Sequence, residues 1–128
     1  MKTLPTLEAI CRACGGTFSH PSLGDFSYGE AVLCSVDGKG YATADAFSAA
    51  ARHVRSTLAT DDGRAFWTAL AALADPMDGA ALTATIRCPH CGSGDLASWG
   101  GRTTGTRDVP EARFDSDLFT PAVDRARR

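Results

Sequence analysis

Four of the five cysteines occur in two CxxC pairs, and these residues have the clearest capacity for chemistry. Cys11 and Cys14 lie in CRACGG, whereas Cys88 and Cys91 lie in CPHCGS. Each loop can place two sulfur atoms on one side of a metal ion, and the following glycine lets backbone N–H groups turn toward them. Zinc prefers four thiolate or imidazole ligands in a tetrahedron, which takes two such loops. We therefore predict that these four cysteines hold one zinc ion.

The two loops resemble the two knuckles of a zinc ribbon, a family with rubredoxin-like zinc knuckles. The resemblance covers residues 7–18 and 82–99, in which a strand, a CxxCG loop and a second strand follow one another. It implies a sheet of short antiparallel strands around a structural ion. The spacing departs from the usual ribbon, because a long insertion with helices separates the halves. An iron site of the rubredoxin kind would use the same four thiolates, so zinc and iron both remain open.

The pattern of residues favours a structural ion over a catalytic one. A catalytic zinc keeps a position open for water and usually has three protein ligands, whereas four cysteines close the shell. The H-x-E signature of zinc deaminases is missing from the sequence. A thioredoxin-like CxxC should open a helix, but glycine follows each pair here. We expect no enzyme activity, and a thiol- or metal-dependent enzyme is the least favoured hypothesis.

The remaining cysteine and histidines are weaker ligand candidates. Cys34 shares one strand face with Val32 and Val36, which predicts a small hydrophobic side chain in the core. His90 lies inside a loop whose cysteines already supply ligands, so we expect its ring to be exposed. His20 follows the first loop and is an alternative ligand.

Other candidates have a structural and a functional interpretation. Trp99 and Tyr28 could stack on a base or a peptide, but a small ribbon needs aromatic residues, which favours core positions. Arg12 and Arg87 flank the loops and either offset the charge of the thiolates or are ordinary surface arginines. His53 falls off the apolar face of its predicted helix and should be solvated.

The insertion between the two loops predicts a β-hairpin followed by two helices. EAVLCSV leads into Asp37-Gly38, a strong tight-turn pair, which predicts a hairpin over residues 30–42. Apolar residues at helical spacing, including Phe47, predict a helix from Thr43 or Asp45 to Thr60. A second apolar stripe predicts a helix over 64–74. Residues 43–75 should therefore form a helical hairpin.

Strands and a C-terminal extension complete the predicted fold. The alternation in LTATIRC predicts a strand over 82–88 that runs into the second loop, and another strand is expected over 95–99. Residues 100–128 are predicted to form a partly mobile C-terminal extension. It should be loop-like in GGRTTGTRD, form a short helix over 110–119 and end in a frayed tail. The whole of 1–128 is predicted to be a single α+β domain.

Composition and charge restrict the classes of function. The formal net charge is −2, which gives no sign of an electrostatic grip on nucleic acid. No apolar run is long enough for a membrane span, and no signal peptide is recognised. An odd number of cysteines fits a reducing compartment, so we expect a cytoplasmic protein. The favoured function is a protein-interaction or regulatory module that binds another protein, and the alternative is a nucleic-acid-binding zinc ribbon.

Overall fold

The computed structural model describes residues 1–23, 29–59 and 62–115, and it has the predicted α+β fold. These residues contain, in chain order, the strands and helices β1 (Lys2–Cys11), β2 (Thr17–Pro21), β3 (Glu30–Ser35), β4 (Tyr41–Asp45), α1 (Ala49–Thr57), α2 (Gly63–Leu73), β5 (Leu82–Thr83), β6 (Leu96–Ser98) and β7 (Thr103–Val109). No helix in this described part is long and apolar enough to cross a membrane.

The first sheet, here called the knuckle sheet, is built around the long strand β1. β2 pairs antiparallel with one edge of β1, from Thr6 opposite Pro21 to Ile10 opposite Thr17. β6 and β7 follow each other along the opposite edge, also antiparallel to β1. Cys11 at the end of β1 lies opposite Leu96 of β6. The knuckle sheet therefore brings the chain around the first CxxC pair next to the chain that follows the second pair.

The strand β7 corrects the expectation that the stretch GGRTTGTRD, residues 100–108, is loop-like. It pairs with β1 over six positions, from Lys2 opposite Val109 to Leu7 opposite Thr103. Only Val109 of this strand is buried, so its sequence lacks the alternation that would have indicated a half-buried strand. Residues 103–109 are thus an integral part of the sheet.

The second sheet, here called the hairpin sheet, has the order β4-β3-β5 and is also antiparallel. The predicted hairpin is present, but β4 continues to Asp45 and not only to residue 42. Gly38 in its turn has φ +77°, and the Asp37 carboxylate accepts a hydrogen bond from the Lys39 N–H at 3.0 Å. The turn thus forms at the predicted Asp37-Gly38 pair, because these residues accept that backbone conformation.

Two helices cover one face of the hairpin sheet. The Ser48 hydroxyl caps α1 by accepting from the Ala51 N–H at 3.1 Å, and Asp62 caps α2. The helices and this sheet enclose the largest apolar core, which contains Leu33, Ala42, Ala44, Ala50, Ala51, Val54, Leu70, Ala71 and Leu82. A smaller cluster of Leu4, Cys34, Tyr41 and Val109 lies between the two sheets.

The predicted boundaries of the first helix were wrong. The first helix does not start at Thr43 or Asp45, because β4 pairs with β3 up to Asp45 and Ser48 then caps the helix. Phe47 consequently lies outside α1 and is 59% exposed. The helix also ends before the predicted Thr60, because it stops at Thr57 and Leu58 adopts an extended backbone; Thr60 itself lies outside the described ranges.

The segments predicted at 82–88 and 110–119 also differ. Only Leu82–Thr83 forms a strand, and it joins the hairpin sheet rather than the knuckle sheet. Residues 110–115 form isolated bridges, Glu111 with Thr43 and Phe114 with Ala74, instead of a helix turn. Residues 116–128, with the rest of that predicted helix and the tail, lie outside the described ranges.

Candidate metal centre

The first CxxC pair lies in a tight turn between β1 and β2. The Cys11 N–H donates to the Gly16 carbonyl at 2.9 Å, and the Gly15 N–H donates to the Cys11 carbonyl at 2.9 Å. Gly15 has φ +73°, a conformation that glycine adopts without a steric cost. These bonds fold the loop so that Cys11 and Cys14 lie on the same side of the turn.

The second CxxC pair repeats this geometry without a preceding strand. The Cys88 N–H donates to the Ser93 carbonyl at 2.8 Å, and the Gly92 N–H donates to the Cys88 carbonyl at 2.7 Å. Gly92 has φ +78°. The hydrogen bonds connect the same relative positions in both loops, five and four residues apart. The internal repeat that the sequence suggests is therefore a repeat of backbone conformation.

The hairpin turn supports the second loop from behind. A Cβ atom built on Gly38 would lie 2.6 Å from the carbonyl carbon and oxygen of Cys88 and 2.7 Å from the Arg87 oxygen. The absence of a side chain at Gly38 therefore lets the turn lie directly against the backbone of the loop. This contact, and not a strand over 82–88, fixes the position of Cys88.

Two further contacts join the loops to each other. The Arg12 N–H donates to the Asp95 carbonyl at 2.9 Å, and the Arg12 and Asp95 side chains form an exposed ion pair at 3.1 Å. His90 Nε2 donates to the Thr17 carbonyl at 2.9 Å. Since His90 belongs to one loop and Thr17 follows the other, this bond holds the two loops at a fixed separation.

The four cysteine sulfurs form one compact cluster. All four Sγ atoms lie within 4.8 Å of one another, with 3.6 Å between Cys11 and Cys91 and 3.7 Å between Cys14 and Cys88. A tetrahedral zinc ion with Zn–S bonds of about 2.3 Å places its sulfurs about 3.8 Å apart. The five cysteines are free thiols, and the measured separations are far above the roughly 2.05 Å of a disulfide. The cluster has the size and donor chemistry to hold one metal ion.

Burial within the cluster is uneven. Cys11 and Cys88 are buried, together with Ala9 and Phe18, in a small apolar cluster. Cys14 and Cys91 are exposed. An ion held here would have one face toward the core and the other toward solvent, which leaves the two outer sulfurs accessible to chelators.

Hydrogen bonding and the close packing of the sulfurs shift the pKa values of Cys11 and Cys91 in opposite directions. Backbone N–H groups of Gly16 and His90 lie 3.4 Å from the sulfurs of Cys14 and Cys88. The pKa of Cys11 is lowered to about 7, chiefly because the Cys14 N–H favours its thiolate. Although the Ser93 N–H favours the Cys91 thiolate, the hydrogen bond with Cys11 and desolvation raise the pKa of Cys91 to about 12. Four adjacent thiolates need a cation to coexist, because each negative charge disfavours ionisation of the others.

The remaining ligand candidates lie outside this cluster. His20 is buried; its Nδ1 donates to the Pro21 carbonyl at 3.1 Å, while its Nε2 accepts from the Gly100 N–H at 3.3 Å. His90 is exposed at the surface of its loop, and His53 on α1 is half-buried, so the solvated position expected for His53 is only partly realised. Both nitrogens of His20 are thus used in structural bonds.

The aromatic expectations need one correction. Trp99 is 74% exposed, so it does not belong to the core as predicted. It lies after β6, a three-residue strand at the margin of the knuckle sheet, where no element among the described residues covers it. Tyr28 lies outside the described residues.

Sequence analysis missed the role of Cys34 and Arg87 behind the second loop. Cys34 is fully buried in the core between the sheets, as predicted, and its sulfur also accepts the Arg87 N–H at 3.4 Å. The Arg87 side chain donates from Nη1 to the Gly92 carbonyl at 3.2 Å. Arg87 is therefore not a plain surface residue, because its side chain braces its own loop. Its buried Nε has no partner among the described residues.

Comparison with known proteins gives no relative from which a role could be transferred. No protein-family model, no curated protein and no solved structure matches the chain.

Proposed function

We propose that this protein holds one structural zinc ion through Cys11, Cys14, Cys88 and Cys91 and acts as a module that binds another protein. The convergence of the four sulfurs within 4.8 Å is the single observation that carries the metal proposal. Four cysteines separated by a long stretch of sequence have no other evident reason to meet while remaining unbridged. The closed set of four ligands supports a structural role over catalysis.

The zinc-ribbon resemblance gains support from the strands around the loops. β1 leads into the first loop and β2 leaves it, while β6 leaves the second loop and pairs with β1 at Cys11. In this arrangement, the ion joins the turn between β1 and β2 of the knuckle sheet to the second CxxC loop, which follows β5 of the hairpin sheet. We propose that the ion makes 1–128 a single domain by fixing these two sheets to each other. Iron fits the same four thiolates, and zinc is proposed because a closed tetrahedral shell of four cysteines is a usual form of structural zinc site.

The interaction role is proposed because a metal site with four protein ligands has no open position for catalysis. A closed ion offers no position to a substrate, so activity has to come from the protein surface. The net charge of −2 does not favour a phosphate backbone as partner. A protein partner in the cytoplasm is therefore the proposal, with the metal maintaining the shape of the binding surface.

Native mass spectrometry of the purified protein tests the metal proposal. We expect one zinc per chain, identified by its mass and by elemental analysis, and complete loss of the ion after chelation with acid treatment. A variant with all four cysteines changed to serine should carry no metal, whereas Cys34→Ala should carry one ion. A metal-free native protein, or an ion retained by the quadruple variant, would contradict the proposal. Retention on heparin that falls steeply with salt would favour the nucleic-acid alternative.

A further inference from the structure

A cleft of about 730 Å³ opens between the helical side of the protein and the second CxxC loop. The cleft is lined by residues of β3 and α2, by residues 84–86 after β5, and by a wall of residues between 94 and 99, around β6. Its lining includes Ala31, Leu33, Arg64, Trp67, Leu96 and Trp99. The volume is within the range of ligand-binding pockets, which is roughly 300–1,000 Å³. None of these residues belongs to the four-cysteine cluster.

The cleft is lined by Ala31 and Leu33, which flank Val32 at a position where no described residue pairs with the outer edge of β3. β5 covers that edge only at Cys34 and Ser35, and the residues after it, 84–86, line the cleft without pairing with β3. The Val36 N–H donates to the Ala81 carbonyl on this edge at 2.9 Å. Because hydrogen-bonding groups alternate between the two edges of an antiparallel strand, the N–H and C=O of Val32 face the same edge. Val32 therefore offers a donor and an acceptor on the side where β5 has ended.

Both tryptophans of the chain line the cleft, Trp67 from α2 and Trp99 from the residue after β6. Trp67 is half-buried and packs edge-on against Phe66, with ring centroids 4.9 Å apart. Trp99 is 74% exposed. Exposed tryptophan is costly to solvate and is enriched among the residues that dominate binding energy at interfaces. The two rings provide a site for a bulky apolar side chain.

The lining contains one positive and one negative side chain, Arg64 and Asp95. Asp95 is engaged by Arg12 at 3.1 Å. Arg64, at the start of α2, donates its backbone N–H to the Asp62 carboxylate at 3.1 Å, but its side chain forms no ion pair with any other described residue. The Arg64 guanidinium can therefore pair with a carboxylate of a bound peptide.

We propose that an extended peptide segment of a partner protein adds to β3 as an antiparallel or parallel strand in this cleft. The peptide backbone pairs with Val32, a bulky apolar side chain inserts between Trp67 and Trp99, and an acidic side chain reaches Arg64. Strand addition derives its affinity from backbone hydrogen bonds and its specificity from pockets for alternate side chains. This inference rests on the proposed interaction function and names its surface and partner.

The position of the cleft gives the metal ion a role in this binding. Gly94, Asp95 and Leu96 of one wall follow directly after the second CxxC loop. Loss of the ion would release this wall from its position next to β1. Peptide binding therefore depends on the metal even though the peptide does not touch the sulfurs.

Selection of peptides from a random 12-residue phage library on the zinc-loaded protein provides the test. The enriched peptides are synthesised with a fluorescent label, and their dissociation constants are measured by anisotropy. We expect enrichment of an aromatic or aliphatic residue near an acidic one, and a change in intrinsic tryptophan fluorescence on binding, since both tryptophans line the cleft. Trp99→Ala should weaken binding by at least about tenfold. Phe47→Ala, which removes an exposed aromatic ring outside the cleft lining, is the matched control and should leave the affinity unchanged.

Backbone methylation separates strand addition from simple hydrophobic contact. Peptides carrying one N-methyl group at successive positions should alternate between unchanged affinity and a loss of at least about tenfold. A second variant, Val32→Pro, removes the N–H from the open edge, where proline is tolerated, and should also weaken binding. Absence of enriched peptides would overturn the proposal, as would binding that ignores Trp99→Ala or shows no alternation with N-methylation.

Metal analysis of the same samples distinguishes this inference from the proposed metal site. Zinc-loaded protein that binds no peptide would refute the cleft proposal and leave the metal site intact. Peptide binding by a protein that is isolated without metal would support the cleft, but it would refute the structural ion and the dependence of binding on that ion.

Discussion

The helical end of the molecule, which is the hairpin sheet with α1 and α2, and the metal end, which is the two CxxC loops with the adjoining part of the knuckle sheet, are stabilised in different ways. The hairpin sheet with α1 and α2 surrounds a core in which Leu33, Val54 and Leu70 are almost completely buried. Among the described residues, the buried cluster of the metal end consists of Ala9, Cys11, Phe18 and Cys88, with Ile86 and Leu96 packed against it, and two of the four buried residues are proposed ligands. A core this small supplies little hydrophobic stabilisation, which is the situation in which small folds use a metal or a disulfide. The comparison indicates that the ion replaces a core at one end, while apolar packing suffices at the other.

Cys88→Ser tests the metal end and should have the largest effect. Serine cannot supply the thiolate, so we expect loss of the ion and of the folding free energy that accompanies it. Structural zinc binding in small zinc-finger peptides is worth about 10–16 kcal/mol, so much of the fold should be lost with it. Hydrogen exchange should show the Cys11 and Cys88 amides losing protection before those of α2. Unchanged metal content together with a native melting curve would contradict the account.

Leu70→Ala is the corresponding test of the helical end. Leu70 is completely buried in the main core, and truncation of such a leucine costs about 2–5 kcal/mol. We expect a lower urea midpoint but one zinc per folded chain, because the cavity forms away from the sulfur cluster. Thr68→Ala, an exposed change on the same helix, is the control. A variant that folds but no longer retains zinc would show that the two ends are not independent.

Gly38→Ala tests the contact through which the two ends meet. The new methyl group would lie 2.6 Å from backbone atoms of Cys88, which cannot move without moving a sulfur. Gly79→Ala is a matched control, since Gly79 has a similar φ of +82° and no atom within 4 Å of the built Cβ. Both changes incur the left-handed backbone cost of roughly 1–2 kcal/mol. Gly38→Ala should cost about 1–3 kcal/mol more and weaken zinc retention in a chelator competition. Equal effects would show that the contact with Cys88 is not rigid.

The contrast also explains which features could be predicted from the sequence. The two loops follow from local signals, because a CxxC pair and the glycine after it are adjacent in the chain. The hairpin turn follows from Asp37-Gly38, and the helices follow from apolar periodicity. Counting ligands was sufficient to predict that the two loops meet, since neither loop completes a four-ligand shell alone.

Features that depend on pairing between distant segments were not predictable. β7 carries no buried alternation and exists because it pairs with β1. The start of α1 was misplaced because residues 43–45 form part of β4 only through their pairing with β3. In the site, the support of Cys88 by Gly38 and the bond between His90 and Thr17 arise from tertiary packing, for which the sequence has no local signal. The exposure of Trp99 was missed for the same reason.

Cys34→Ala should produce the smallest of these effects and separates the fifth cysteine from the other four. The pKa of Cys34 is raised, chiefly by burial, so its thiol stays neutral at physiological pH and is a poor ligand in this position. The variant loses one buried sulfur and the weak bond from the Arg87 N–H, for a cost of about 1 kcal/mol. Thermal denaturation measures this cost, and elemental analysis should still give one zinc per chain. If the ion were lost, Cys34 would belong to the ligand set. If instead zinc remained but dissociated faster, the hydrogen bond from the Arg87 N–H to Cys34 would be shown to stabilise the second loop. The apolar cluster between the sheets, which contains Cys34, would then contribute to zinc retention and belong to the metal end.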